Sequence, residues 1–203
     1  RGAPNGREII DRIRKEYSLD IRIISGEEEG ELDYCGVTNT MDLTDGYILD
    51  MGGASMELVR VKGRNLSSVT VLPYGTVSMN DRFSSKAGFG VLEKDMRKRL
   101  AALEKDSTLI GVGGTIRAIA KLDMKRKDYP LKLLHNYAMS AKDVEAMLKL
   151  MKGKSRGEIT RMGVSDDRSD LVLPGVTALK TMMGILGTER LRISHSGIRE
   201  GLL

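Results

Sequence analysis

The stretch GYILDMGGASMELVRV, from Gly46 to Val61, predicts two apolar strands joined by a tight, glycine-rich turn. An aspartate, Asp50, ends the first strand, and Gly52 and Gly53 follow almost at once. A turn alone would account for the glycines, because glycine occurs most often in the turns that connect helices and strands. The same pattern also suits a site where main-chain N–H groups approach a negatively charged ligand, since glycine has no side chain to obstruct them.

The chain has 203 residues, enough for one large domain with a substantial core. No apolar run approaches the roughly 20 residues of a membrane span, so we expect no membrane partner. The net charge of +5 weakly favours a polyanionic partner, but aromatic residues make up only 4% of the chain, which leaves little for stacking on nucleic-acid bases. The single cysteine, Cys35, cannot form an internal disulfide, which favours a reducing compartment, the cytoplasm.

Hydrophobic periodicity and capping residues predict strands and helices along the whole chain. Strands are predicted at residues 21–25, 47–50, 56–62, 68–72 and 108–114 and at the start of 190–203, and helices at residues 8–17, 27–37, 77–83, 91–105, 115–122, 140–153 and 166–187 and after residue 197. Hairpins come early in the chain and strand–helix units later. This order indicates an α/β layered domain with a mixed sheet.

Three glycine-rich turns each follow an apolar strand, at residues 50–55, 111–115 and 195–201. A row of main-chain N–H groups in such a turn binds phosphate oxygens, and a helix N-terminus adds a favourable dipole. Ser55 and Thr115 would add hydroxyl donors. None of the turns is a P-loop, because no Gly-Lys-Ser or Gly-Lys-Thr follows, and a simple tight connection remains the alternative for each.

Two groups of carboxylates stand near these turns. Asp50 either holds Mg²⁺, directly or through water, or caps its own turn through a side-chain hydrogen bond. Glu27 to Glu29 form either a solvated first turn of a helix capped by Ser25 or a source of a general base. Asp33 lies four residues after Glu29, on the same helix face.

These motifs carry a resemblance to a known family. The sequence resembles the exopolyphosphatase / guanosine pentaphosphate phosphohydrolase family, within the sugar kinase–Hsp70–actin-like superfamily. The matching segments occur in the family's order and span nearly all of the chain: IISGEEEGELDYCGV, ILDMGGASMELVRV, LPYGTVSMNDRF, GVGGTIRAIAKL, KLLHNYAMS, DDRSDLVLPGV and ISHSGIREGLL.

The resemblance implies a ribonuclease-H-like (actin-like ATPase) α/β fold of two similar domains, with the active site in the cleft between them. Residues 26–203 are then expected to form the second domain, and residues 1–25 the tail end of the first domain or a linker. The chain alone is expected to be inactive, because half of the cleft would be missing. A homodimer is a further expected assembly.

The resemblance also assigns roles to individual residues. Glu29 is the expected catalytic base, and Asp50 and Glu57 are the expected Mg²⁺ ligands. Two loops are the expected phosphate-binding elements: Gly52, Gly53, Ala54 and Ser55 in the first, and Gly113, Gly114 and Thr115 in the second.

Three positions depart from the family pattern. Ala54 replaces a glycine, Met56 replaces a threonine, and His195 stands where the family often has an acid. Alanine disfavours positive φ, so if the loop requires left-handed geometry at Ala54 we expect a strain of about 1 kcal/mol or more. These departures put phosphate affinity and turnover in question.

The expected activity is hydrolysis of the terminal phosphoanhydride of inorganic polyphosphate, with release of orthophosphate. One alternative is hydrolysis of pppGpp to ppGpp by the same in-line attack. A second is a non-catalytic sensor of polyphosphate or nucleotide, and a third is a sugar kinase of the same superfamily. Basic runs at residues 97–99, 125–127 and 152–156 form either a track for a long polyanion or solvated helix faces.

Overall fold

The computed structural model describes residues 5–83 and 88–203. Within these ranges the chain forms one six-stranded mixed sheet in the order β3-β2-β1-β4-β6-β5. The strands are β1 (Gly46–Met51), β2 (Met56–Lys62), β3 (Asn65–Leu72), β4 (Thr108–Val112), β5 (Ala138–Ser140) and β6 (Arg190–Ile193). Strands β1 to β3 form an antiparallel meander, β4 and β6 continue it in parallel with β1, and β5 is antiparallel to β6.

Helices pack on both faces of this sheet. They are α1 (Gly6–Tyr17), α2 (Gly26–Thr38), α3 (Thr76–Phe83), α4 (Gly88–Arg99), α5 (Gly114–Arg126), α6 (Ala141–Met151), α7 (Arg156–Arg161), α8 (Val172–Leu186) and α9 (Ile198–Gly201). No helix in the described ranges has the length and apolar character needed to cross a lipid bilayer. The predicted α/β fold, a mixed sheet flanked by helices, is confirmed.

The alternation of side chains along β1 divides the core into two layers. Leu49 and Met51 face the larger core, which is built with helices α3 to α8. Ile48 faces the smaller core, which lies under α2 and includes Val37 of that helix and Val59 of β2. Because neighbouring positions alternate, the carboxylates at the ends of β1 and β2 face the α2 side of the sheet.

Helix α2 is held in place at two points, the cap at its N-terminus and a close contact with β3. Its N-terminus has a capping box, in which the Ser25 hydroxyl accepts the Glu28 N–H and the Glu28 carboxylate accepts the Ser25 N–H. Such a cap contributes about 1 kcal/mol. Along the helix, a Cβ on Gly30 would collide with Val69 of β3, so the glycine lets α2 lie close to the sheet.

Some local predictions are wrong. Residues 21–25 form no strand, because no neighbouring strand pairs with them, and Ile23 is 50% exposed. The helix predicted to reach residue 105 ends at Arg99. Strand β5 and helix α7 were not predicted. Helix α1 buries no residue, and the division of the chain at residue 25 remains a prediction, with residues 1–4 outside the described ranges.

Candidate functional site

Asp50 and Glu57, the two predicted metal ligands, lie opposite each other on β1 and β2. Both belong to the face covered by α2. The Ser55 hydroxyl donates a 2.7 Å hydrogen bond to Glu57 Oε1, which ties the end of the loop to this carboxylate. The hairpin therefore brings two of the predicted site residues together by its register alone.

The loop between these strands turns its carbonyl groups toward α3. The carbonyl oxygens of Gly52 and Gly53 accept 2.9 Å hydrogen bonds from the N–H groups of Thr76 and Val77, and that of Ala54 accepts one from Gly75. In a trans peptide the C=O and N–H groups point in opposite directions. The next three N–H groups, of Gly53, Ala54 and Ser55, therefore point away from α3, as an anion-binding nest requires. The prediction of Gly52 as a fourth donor is wrong, because its N–H donates to the Ser55 carbonyl oxygen at 3.1 Å.

Glycine is required at one neighbouring position, but not at residue 54. A Cβ on Gly75 would collide with the backbone of Gly53 and Ala54, so only glycine permits this approach of α3 to the loop. Ala54 is not among the residues with positive φ. The strain considered for Ala54 is thus absent, because the loop does not use left-handed geometry there.

The second predicted phosphate loop lies directly beside the first. Gly113 has a φ of 95° and precedes the N-terminus of α5. A Cβ on Gly113 would lie 2.5 Å from Asp50 Oδ1, so the loop packs against the carboxylate. The first N–H groups of α5, at Gly114 and Thr115, have no partner within the helix. Thr115 is 5% exposed, and its methyl group packs toward Gly175 of α8.

A cleft of about 350 Å³ opens at this end of the sheet. Of the predicted site residues, Asp50 and Gly113 line it, whereas Glu29, Glu57 and the loop 52–55 do not. Its other lining residues include Asp33, Arg117, Lys121, His195, Gly197 and Glu200. The three glycine-rich turns singled out in the sequence thus each contribute to the cleft, whereas Asp33 of α2 and Arg117 and Lys121 of α5 were not predicted to lie there.

Asp50 and Glu29 lie close enough to interact electrostatically. Burial raises the pKa of Asp50 above its ordinary value, and the negative charge of Glu29 adds to the rise. The guanidinium of Arg117, on α5, acts in the opposite direction. Glu29 therefore lies near Asp50, on the helix that covers the same face of the sheet.

Asp33 is the principal residue that sequence reasoning missed. It lies on α2, is 0% exposed and faces Asp50. Burial raises the pKa of Asp33 to about 9, and the charges of Asp50 and Glu57 contribute to this rise. A signal was present in the sequence, because Asp33 follows Glu29 by four residues, but nothing local indicated that the helix would bury it.

The segment after β6 is held at the cleft by two side chains. The Arg117 guanidinium donates to the His195 carbonyl oxygen at 3.2 Å. The His195 N–H donates to His135 Nδ1 at 3.2 Å, while His135 Nε2 lies 3.3 Å from the Thr40 carbonyl oxygen. These two bonds require a neutral His135 with its proton on Nε2.

The basic runs predicted as a track are largely engaged in local ion pairs. Arg99 pairs with Asp95, Lys127 with Asp143, and Arg156 with Asp166 and Asp170. The cations that line the cleft are instead Arg117, Lys121 and Arg199, and Lys121 also lines an adjoining cavity with Lys125 and Arg168. The positive charge beside the site thus comes mainly from one face of α5.

The acidic residues of the cleft could supply some of the ligands of a Mg²⁺ ion, with water and substrate oxygens supplying the rest. Within the residues that the structure describes, they do not form a site in which protein side chains alone surround the ion. Asp50 Oδ1 is buried and has no hydrogen-bond partner in the described ranges. In those same ranges no three His, Cys, Asp or Glu side chains group closely enough to hold an ion by themselves. Mg²⁺ usually takes one or two carboxylates and completes its shell with water and phosphate oxygens, so this donor set is compatible with it.

Comparison with known proteins connects this site to a family. The model of the Ppx/GppA phosphatase family matches residues 1–203. A Haemophilus influenzae protein, provisionally assigned as an exopolyphosphatase, is 25% identical over 217 residues, and the match covers 100% of this chain and 65% of that protein.

Solved structures agree with this match. The crystal structure of the Aquifex aeolicus Ppx/GppA family member has a TM-score of 0.84 at 26% identity, covering 98% of this chain and 68% of the other. An exopolyphosphatase from Cytophaga hutchinsonii shares the fold with a TM-score of 0.86 at 22% identity, covering 98% and 69%. The chain therefore belongs to the Ppx/GppA phosphatase family.

Proposed function

We propose that the protein hydrolyses the terminal phosphoanhydride bond of inorganic polyphosphate and releases orthophosphate. Family membership and the exopolyphosphatase assignment of the Haemophilus influenzae relative support this proposal. The chain spans 65% of the length of the Haemophilus influenzae relative, so the activity is proposed for the whole protein. We expect it to act in the cytoplasm and the isolated chain to be inactive.

The observation that carries the proposal is the direction of the N–H groups in the loop 53–55. They point away from α3, and Gly113, which precedes the N-terminus of α5, packs against Asp50 Oδ1. Phosphoryl transfer needs little covalent chemistry from a protein and depends on positioning and on stabilising the charge of the transferred group. Two adjacent sets of N–H donors supply that stabilisation for a terminal phosphate.

In this mechanism Glu29 orients the attacking water and accepts its proton. The water oxygen forms a bond to the terminal phosphorus as the bridging P–O bond breaks, and the shortened polyphosphate leaves with the bridging oxygen. Mg²⁺, held by Asp50 and Glu57 directly or through water, would neutralise charge on the phosphate oxygens. The N–H groups of residues 53–55 and 113–115 bind the transferred group during the attack.

Hydrolysis of pppGpp is the second candidate, because the matched family model is named for both activities. Both substrates present a terminal anhydride to the same donors. Turnover of the full-length protein on each substrate, measured side by side, distinguishes them. The sensor alternative rested on the changes in the loop, and the unstrained backbone at Ala54 removes part of its motivation.

The proposal is tested by the substitution Glu29→Gln in the full-length protein, with Mg²⁺ present. Removing a general base typically lowers kcat by about 10²- to 10⁴-fold, and we expect a loss in that range in assays of phosphate release from polyphosphate. Glu27→Gln is the matched control, because Glu27 is exposed in the same helical turn, and it should stay within about twofold of wild type. Equal activities of the two variants, or no phosphate release by wild type, would overturn the proposal.

A further inference from the structure

Two buried carboxylates in the cleft lack the partners that buried charges need. Asp33 is 0% exposed, and within the residues described neither of its oxygens accepts a hydrogen bond of good geometry, although the nearby Ile198 N–H opposes the rise in its pKa. The same holds for Asp50 Oδ1. Ionised carboxylates only accept hydrogen bonds, so neither group satisfies the other in that form.

Arg117, Lys121 and Arg199 line the same cleft, but within the described residues none of them donates a hydrogen bond to these three oxygens. Glu57 and Glu29 add further negative charge near this pair. Arg117 is the cation that acts on Asp50, and its guanidinium also donates to the His195 carbonyl oxygen. A buried carboxylate must be paired, protonated or bound to a metal, because leaving it ionised and unpartnered costs several kcal/mol.

The pair is accessible to a small ion, since Asp33 and Asp50 both line the cleft of about 350 Å³. Two glycines bring the main chain close to the carboxylates. A Cβ on Gly197 would lie 2.9 Å from Asp33 Oδ1, and one on Gly113 would lie 2.5 Å from Asp50 Oδ1. The main chain therefore lies close against one oxygen of each carboxylate, where a side chain would not fit, and the open space beside the pair is that of the cleft.

We propose that Asp33 and Asp50 together bind one divalent cation, Mg²⁺ or Mn²⁺, with Asp33 as a ligand from α2. Glu57, which already accepts from Ser55, then holds the ion through water, one of the two arrangements that the proposed mechanism allows. The inference rests on the proposed function for the identity of the cation, and it adds a protein ligand that the sequence did not suggest. Two carboxylates with water and phosphate oxygens match the usual shell of Mg²⁺.

The test is a titration of the full-length protein with Mn²⁺ in the absence of substrate. Electron paramagnetic resonance measures the concentration of free Mn²⁺ at each step and so gives the affinity. Loss of a supporting partner of a metal site already costs 10- to 100-fold in affinity, so we expect Asp33→Asn to weaken binding by about tenfold or more. Glu31→Gln is the control, because Glu31 is exposed on the same helix. Unchanged Mn²⁺ affinity in Asp33→Asn would overturn the inference.

Thermal unfolding provides a second readout. Without metal, Asp33→Asn should be at least as stable as wild type, because the amide, like a protonated Asp33, carries no charge and can donate to Asp50. Mg²⁺ should raise the Tm of wild type, as any ligand of the native state does, and raise that of the variant much less. A pair that shares a proton instead of an ion predicts equal Mg²⁺ shifts for both proteins, which would contradict the inference.

A measurement on wild type alone covers the case in which the variant does not fold. Mg²⁺ should slow amide hydrogen exchange in α2 and α9, the helices that enclose Asp33, and no slowing would count against the site. Different experimental outcomes would refute the proposed hydrolase activity and the proposed Asp33 ligand. Asp33-dependent Mn²⁺ binding without phosphate release would refute the hydrolase, and Mg²⁺-dependent release with unchanged Mn²⁺ binding in Asp33→Asn would refute the Asp33 ligand.

Discussion

Asp33 and Asp123 are both 0% exposed, yet their surroundings are opposite. Asp123, on α5, accepts hydrogen bonds from Arg126 at 2.7 Å and from the Tyr137 hydroxyl at 2.8 Å, and it pairs with Lys127 at 2.8 Å. Asp33 has no such partner in the described part of the chain. A buried carboxylate that serves the fold is neutralised by its own chain. One that is left without a partner beside a cleft indicates a ligand.

The largest effect expected from this comparison is on stability. Asp123→Asn should lower the free energy of unfolding by about 3 kcal/mol, because the cations around it lose their buried partner. Urea unfolding of the metal-free protein measures this change. Asp33→Asn, the corresponding substitution at the other carboxylate, should cause no loss, and equal destabilisation by both would show that the two sites do not differ in kind.

The stability contributed by the ion pairs among Asp123, Lys127 and Asp143 should also depend on pH. Burial opposes ionisation of Asp143, but hydrogen bonds from Lys127 and Ser140 outweigh it and lower its pKa to about 2. Because the pKa in the folded state lies below the unfolded value, the stabilisation is present above about pH 4 and is lost as the pH falls toward 2. It amounts to about 2 kcal/mol.

Asp143→Asn should therefore be less stable than wild type at pH 7, and the difference should shrink at pH 2.5. Unfolding curves at the two pH values measure it. Asp81→Asn, at an exposed position on α3, is the control and should show little difference at either pH. A gap that stays constant with pH would mean that the charge of Asp143 does not stabilise the fold.

The smallest effect concerns the phosphate loop. Ala54 lacks positive φ, so Ala54→Gly relieves no strain and only increases the freedom of the unfolded chain. We expect a loss of about 0.5 kcal/mol in stability and phosphate release within about twofold of wild type. A large gain in activity would show instead that the alanine restricts the loop.

The sequence predicted the parts of the molecule that local patterns encode. The register of β1 and β2, which brings Asp50 opposite Glu57, and the cap at Ser25 both follow from residues near each other in the chain. The predicted strand at 21–25 failed because a strand is stable only with a neighbour to pair with. Strand β5 escaped prediction because it has three residues.

The role of Asp33 could not be predicted from local patterns. Its burial depends on α9 packing against α2 and on the turn at Gly113 beside β1, so residues more than 150 positions apart define its environment. The same holds for the anchoring of His195 by Arg117 and His135. Such contacts arise from the tertiary structure, and no spacing in the sequence reports them.

The most direct test is a crystal structure of the full-length protein with Mn²⁺ and tripolyphosphate, with the metal located by anomalous scattering. The account predicts an ion between Asp33 and Asp50, and a terminal phosphate on the N–H groups of residues 53–55. An ion away from both carboxylates, with the phosphate in the adjoining cavity at Lys125 and Arg168, would contradict it.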